Sequence, residues 1–436
     1  MLAALRQRNF AFLWFGQVIS MIGDWVLFIA LPFYVYTLTG STLATGMMFI
    51  VETIPRLFFG SIAGVFVDRW DRKRTMFIAE LAQAFVLIPL FLVHSQQWLW
   101  IVYIFAFVES TISQFFIPAK SAIIPNLVDE QHLLAANSLN SMSQELTRLV
   151  GPFLGGVLLG LLGINSVILV DAVSFLISAS MIALISLPSM VARLSEQAKV
   201  THSGAVAGIS KVWHEWLGGL QLVKKQQLIT AIFVVIGVAM VGEGIIEVLF
   251  TAYVKQVMHG SALVLGWLMT AQAIGGIIGS LIVVQASKVI RPTRLIPLSA
   301  LIFGPLIIVI VNIPVLPIVL PLVTIIGVAA IGFFVSLLTL LQSNVDDEYR
   351  GRIFGALNTV QAIAMLFGMV LASGLGDHLG VITMLEVDAA FNILAGVLAF
   401  VMIRKVEKPA PNVKLAAQEG WGYTRGRYSD ALKKGI

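Results

Sequence analysis

The chain has 436 residues, 58% of them hydrophobic and 12% charged, with a mean hydropathy of +0.94 and a formal charge of +5. That is too little polar surface to cover a water-soluble protein, and the continuous apolar runs lack the alternation of an outer-membrane barrel. Cysteine is absent, which excludes disulfides, thiol catalysis and thiolate metal sites. What remains is an all-α membrane protein that crosses the bilayer many times.

The N-terminal "MLAALRQRNF" is short and basic and runs into the first apolar stretch without a small-residue cleavage site, so that stretch is expected to be retained. Twelve spans follow, near residues 10–38, 42–67, 75–94, 98–119, 133–162, 165–188, 228–254, 262–287, 294–312, 315–342, 353–377 and 381–403. Each is long enough to cross as helix. Of the Lys and Arg residues, Arg56 and Arg148 fall inside spans and Lys255 ends span 7. The rest sit at the N-terminus, in the connections after spans 2, 4, 6, 8 and 10, or in the tail. The alternate connections ("LTGST", "HSQQW", "LGINS", "NIPVL", "DHLG") carry none. The positive-inside rule then places both termini and the basic loops in the cytoplasm. The net positive charge reads as topogenic, with no nucleic-acid partner implied.

The longest internal connection divides the spans six and six. The expected domains are an N-terminal bundle at 1–190, a cytoplasmic linker at 191–227, a C-terminal bundle at 228–403 and a cytoplasmic tail at 404–436. In the linker, Ile209, Val212, Trp213, Trp216, Leu220 and Val223 share one helical face, as in a helix lying on the membrane surface. The polar tail, with Pro409 and Pro411, reads as flexible.

The two halves match at an offset near 218 residues. Gly23-Asp24 recurs as Gly242-Glu243, Gly40-Ser41 as Gly260-Ser261, Leu139-Asn140 as Leu357-Asn358, and Gly163 as Gly380. "VDE" at Val128 recurs as "VDD" at Val345. Common order at one offset implies a duplicated six-span unit, and parallel repeats meeting at a central cavity are a transporter architecture.

One loop concentrates charge. "GSIAGVFVDRWDRKRTM" begins at Gly60, at the end of span 2, and holds six charges between Asp68 and Arg74. Gly60 and Gly64 have the small-xxx-small spacing that admits a neighbouring backbone. Asp68 and Arg72 are spaced to pair, and Asp68 can also face a helix N-terminus. Two readings stand: a topogenic basic loop, or a latch on the cytoplasmic side.

The stretch resembles the loop 2–3 signature of the major facilitator superfamily, G-x-x-x-D-R-x-G-R-R/K, with Asp71 in place of the usual glycine. That departure is shared by the branch holding macrolide efflux proteins and the enterobactin exporter. "RNFAFLWFGQVISMIGDWVLFIALP", "FIPAKSAIIPNLVDEQHLLAANSLN" and "YRGRIFGALN" are similar to the same branch, so the resemblance covers nearly all of 5–403. It implies the major facilitator fold, with two pseudo-symmetric six-helix bundles. It also implies a gating role for Asp68, Arg69 and Arg72 in stabilising the outward-facing state. Span 5 carries "GPFLGG", with Gly151, Pro152, Gly155 and Gly156. The motif is similar to one that marks the drug-exporting antiporters, and it implies proton-coupled export. Read physically, it is a bendable, tightly packed helix, which a packing kink alone also satisfies. Span 4, "IVYIFAFVESTISQFF", lacks the arginine that many drug/proton antiporters carry there.

Ionisable groups in spans cost about 3 kcal/mol each at mid-bilayer and point to function. The candidates for a proton and substrate cavity are Asp24, Glu52, Arg56, Glu109, Glu145, Arg148, Glu243 and Glu247. Asp24 lies about 21 Å of helix rise into span 1, and the repeat makes Glu243 its equivalent. Glu243 and Glu247, four apart, are two carboxylates that resist ionising together in a poorly solvated site. The alternative is a set of carboxyls hydrogen-bonded within the bundle, holding helices together. Glu52 with Arg56, and Glu145 with Arg148, have the spacing of internal ion pairs. Glu80, Asp171, Asp377, Glu386 and Asp388 are placed nearer span ends and read as interfacial. Trp25 and Phe28 are placed to touch a hydrophobic substrate.

There is no G-x-x-x-x-G-K-S/T loop for ATP, and the six histidines (94, 132, 202, 214, 259, 378) have no ligand spacing. Neither an enzyme nor a cofactor or metal protein is implied. The expected partners are a small amphipathic substrate, protons and the lipid bilayer. The expected form is a monomer in a bacterial inner membrane. Its expected activity is proton-coupled export of amphipathic, macrolide-like cations by alternating access. Export of a siderophore or other anionic metabolite, flipping of a lysolipid, and a non-transporting scaffold are the alternatives.

Overall fold

The computed structural model describes residues 4–67, 69–186, 226–345 and 347–403. The surface-helix face at Ile209 to Val223, the tail and Asp68 lie outside the described residues. Twelve helices are long and apolar enough to cross a membrane. The first six are α1 (Arg8–Thr39), α2 (Thr42–Val67), α3 (Arg72–Val86), α4 (Leu99–Ile123), α5 (Leu133–Leu162) and α6 (Ile164–Ala183). The second six are α7 (Gln227–Ala252), α8 (Ala262–Ala286), α9 (Pro292–Asn312), α10 (Leu316–Ser343), α11 (Asp347–Leu379) and α12 (Val381–Leu398). Among the described residues there is no strand. Continuous apolar runs dictate this, because in a bilayer each backbone group must find its partner within its own helix.

Helix packing repeats the duplication. In the first half α1 packs on α5 and α6, α2 on α4, and α3 on α4 and α6. In the second half α7 packs on α11 and α12, α8 on α10, and α9 on α10 and α12. The halves meet along two seams that are also equivalent, α2 against α11 and α5 against α8. Several sequence matches between the halves acquire physical reasons. Gly163 and Gly380 both turn the chain between a fifth and a sixth helix at positive φ, 77° and 87°, where a side chain would be strained. Leu139 and Leu357 are both buried.

The halves are closed on one side only. The face opposite Ala4 and Ile403 is the far face; the other is the terminal face. Near the far face a single apolar cluster runs through both halves, from Val26 and Ile29 to Val248, Leu249 and Leu265. Towards the terminal face there are two clusters, one per half. One holds Phe10, Met76, Ile123 and Leu139, the other Ile229, Phe333, Leu337 and Leu357. Polar contacts follow the same division. Tyr36 Oη donates to Gln256 Oε1 at 3.0 Å, and Thr270 Oγ1 donates to the Leu149 carbonyl at 3.2 Å. Asp377 at the end of α11 caps the N-terminus of α2, accepting from Ser41 Oγ (2.6 Å), Thr42 N (2.7 Å) and Thr42 Oγ1 (2.8 Å). The bundles therefore splay towards the terminal face.

Candidate functional site

Against the first half, closed on the other side by Glu247 of α7, lies a cavity of about 680 Å³ whose wall includes Asp24, Trp25, Glu52, Arg56, Glu109 and Asp171. A side compartment of about 120 Å³ opens in the second half. Glu243, Asp388 and Asn392 line it, with the aromatic rings of Phe49, Phe250 and Phe303. Phe28 and Glu247 line both spaces. Trp25 and Phe28 stack edge-to-face at 5.3 Å on that wall, where the sequence reading put them.

In the first half, Asp24 on α1 is exposed to the cavity. Asp171 on α6 is buried behind it at 1% exposure, with Ser174 Oγ 3.4 Å from its Oδ1. A methyl group on Gly23 would strike both side chains, so the glycine is what admits the acid of α6 to the backbone of α1. Glu80 on α3 is buried as well, accepting from Gln17 Nε2 at 2.8 Å and Ser20 Oγ at 3.5 Å. Lys120 Nζ donates to Gln17 Oε1 at 3.2 Å and supplies the cluster with a cation. Glu109 accepts from Ser113 Oγ at 3.0 Å and from Gln83 Nε2 at 3.4 Å. Glu52 forms an ion pair with Arg56, as their spacing predicts.

The second half repeats the arrangement with fewer partners. A methyl group on Gly242 would strike Asp388 Oδ1 and Asn392 Nδ2, as Gly23 does in the first half. Asp388 on α12 is 1% exposed, and its Oδ1 accepts from Asn392 Nδ2 at 2.7 Å. Its Oδ2 has no hydrogen-bond donor. Glu243 and Glu247, one turn apart on α7, both line the side compartment. Neither forms an ion pair among the described residues.

Three expectations need correction. Glu80, Asp171 and Asp388 are not interfacial but among the most buried charged side chains of the chain. Asp171 is the eighth residue of the 20-residue α6, and Asp388 the eighth of the 18-residue α12; in helices this short the eighth residue already lies near mid-depth. The repeat offset linking Asp24 to Glu243 also links Asp171 to Asp388, and that signal could have found them. Lys120 is not in a loop, because α4 continues through Pro118 to Ile123. Glu145 and Arg148 do not pair: among the described residues the ion pairs are Arg56–Glu52 and His132–Asp129. Glu145 and Arg148 are both exposed.

The two sequence motifs sit at different seams. In α5, Gly151 packs on Trp25, Gly155 on the Val26 carbonyl, and Gly156 on the Ala262 carbonyl of α8. The Pro152 carbonyl lies where a side chain on Gly266 of α8 would go. "GPFLGG" is thus the point where α5 wedges between α1 and the other half. At the charged loop, no second backbone approaches Gly60 or Gly64: only Gln114 Oε1, of the same half, comes within 4 Å of a methyl on Gly60, and nothing does at Gly64. The splayed terminal face accounts for that. Asp71, in the place of the family glycine, caps α3 by accepting from Arg74 N at 2.7 Å. Arg72 Nη1 donates to the Ala122 carbonyl at 2.8 Å, tying the loop to α4.

Two equivalent six-helix bundles around a cavity lined by ionisable groups are the architecture of a membrane transporter. The chain belongs to the Major Facilitator Superfamily, whose family model matches residues 13–368 and 232–428. It is 25% identical over 378 residues to macrolide efflux protein A of Streptococcus pyogenes, covering 86% of this chain and 90% of that one. It is 26% identical to the multidrug efflux pump Tap of Mycolicibacterium fortuitum, with 89% and 94% covered. It is 23% identical to the staphyloferrin A transporter of Staphylococcus aureus, with 90% and 96% covered. Among solved structures, the inward-facing state of a bacterial homologue of the iron transporter ferroportin superposes with a TM-score of 0.70 at 15% identity, covering 90% of this chain and 98% of that one. The family and these relatives are transporters, not enzymes, and the chain is a multi-pass membrane transporter of small molecules.

Proposed function

We propose that the chain is a secondary active transporter that exports amphipathic cations across a bacterial cytoplasmic membrane in exchange for entering protons. The observation that carries this reading is the cavity wall: five carboxylates, Asp24, Glu52, Glu109, Asp171 and Glu247, against one arginine already paired with Glu52. The rings of Trp25, Phe28, Phe105 and Phe175 line the same space, and aromatic faces with acids around them suit a hydrophobic cation. The basic loops place the terminal face in the cytoplasm, so that the cavity opens inward. On this reading the protein works as a monomer, and the loop bearing Asp68, Arg69 and Arg72 latches the terminal face once the halves close there. The efflux relatives favour the same direction.

Export of an anion, such as a siderophore, is the second reading. Arg148 is the observation behind it, since this arginine is exposed and makes no ion pair among the described residues.

The test uses everted vesicles holding an acid-inside gradient reported by a quenched dye, with macrolides, lipophilic cations and siderophores added in turn. A cation should dissipate the gradient, and Asp24→Asn or Glu243→Gln should abolish the response. Dissipation by siderophores alone would overturn cation export. Indifference of a working exporter to both substitutions would remove the acids from the mechanism.

A further inference from the structure

We propose that Asp388 on α12 is a proton-holding residue of the second half: its Oδ2 carries a proton before the substrate enters. The argument starts from the carboxyl group itself. Its Oδ1 is satisfied by the Asn392 amide at 2.7 Å, and Asn392 Nδ2 also donates to the Asp388 carbonyl at 3.1 Å, which fixes the amide with its donors towards the acid. Oδ2 has no donor in the described structure, although the residue is only 1% exposed. The residue lines the side compartment, while Oδ2 itself is sealed from it in this state.

Among the described residues no ion pair or hydrogen bond brings a cation to it. Asp388 lies against Gly242 of α7 and shares the compartment wall with Glu243. The one charged residue of α9, Arg294, lies in its first turn at the terminal face. The charged residues of α11 are confined to its two ends: Asp347, Glu348, Arg350 and Arg352, then Asp377 with His378. α10 has no charged residue. An ionised carboxylate with one bare oxygen and no counter-charge is among the costliest things a bundle can bury, and the neutral acid removes that cost. The proton therefore belongs on Asp388.

A consequence follows for exchange, and it rests on the proposed cation-for-proton reading. When a cation enters next to Glu243 and Glu247, the O–H bond of Asp388 breaks, its electron pair stays on Oδ2, and the proton leaves through the compartment. One positive charge replaces another, and the buried charge is unchanged.

The protonated carboxyl has its own infrared signature, a carbonyl stretch that shifts in heavy water, measurable on the purified protein in lipid nanodiscs without substrate. Asp388→Asn should remove one such band at neutral pH, and Glu243→Gln should leave it. A full band in Asp388→Asn overturns the assignment, as does its loss in Glu243→Gln alone. If Asp388→Asn does not fold, Asn392→Ala keeps the carboxyl but strips its donor, and the band should shift; an unmoved band overturns the proposal equally. In a second arm, tetraphenylphosphonium is added in weak buffer. The unsubstituted protein should release protons as the cation binds, and Asp388→Asn should bind it without release; equal release by both places the exchanged proton elsewhere. If tetraphenylphosphonium does not bind at all, the cation reading fails, while the infrared band still decides the place of the proton.

Discussion

The two halves share a plan and differ in how they satisfy it. Each presents an acid from its first helix, Asp24 or Glu243, with a second acid from its sixth helix, Asp171 or Asp388, lodged against a glycine at the same repeat position. In the first half Asp171 has Ser174 beside it, and a third acid, Glu80, is held by Gln17 and Ser20, with Lys120 on Gln17. In the second half the corresponding cluster holds Asn392, and among the described residues no cation bonds to it. Duplication preserved the glycine and the acid because packing demands them together. The solvation of the acids was free to diverge. The first half surrounds Glu80 with donors, and the second leaves one oxygen of Asp388 without any.

The largest effect that would sharpen this contrast is the loss of Lys120. Lys120→Met removes the charged donor from Gln17, the residue that holds Glu80, and should cost about 3 kcal/mol, the upper end for a hydrogen bond from a charged group. The readout is the unfolding temperature in detergent, and an unchanged temperature would dissolve the contrast between the halves. Next come Gly23→Ala and Gly242→Ala, each expected to cost about 2 kcal/mol by forcing the sixth-helix acid away. Unequal costs would show that the two glycines are not equivalent. The smallest effect concerns the seams. Only α2 against α11 has an acid cap, Asp377; the equivalent position on α5 is Gly160. Asp377→Ala removes a helix cap worth about 1 kcal/mol, which is about a five-fold change in population. In this cysteine-free chain, maleimide labelling of Thr45→Cys and of Ala262→Cys, one at each seam, should rise together by that factor. A rise at Thr45 alone would mean local fraying rather than movement of whole bundles.

Span positions were legible because hydropathy and length decide them: the expected 133–162 and 42–67 coincide with α5 and α2. Asp24, Glu52, Glu109 and Glu247 could be found for the same reason, as charges deep in apolar runs, and all four line the cavity. Asp388 and Asp171 were not, because depth was counted from span ends and a helix face cannot be seen in one span alone. Lys120 was placed in a connection because the expected span ended at residue 119, whereas the helix runs on to Ile123, and such ends carry no hydropathy signal. The spacing of Glu145 and Arg148 offered an ion pair that does not form, because both side chains are exposed and a local spacing permits a pair without requiring it.

The cap at Asp377 bears on how such a chain comes to be threaded through a bilayer. Its donors are backbone amides and hydroxyls at a helix start, which present a positive end without a full positive charge. A seal built on arginine would have put a strong retention signal on the face where the sequence keeps only Lys255. By closing that face with a helix terminus, the fold keeps its gate from contradicting the charge code that the insertion machinery reads.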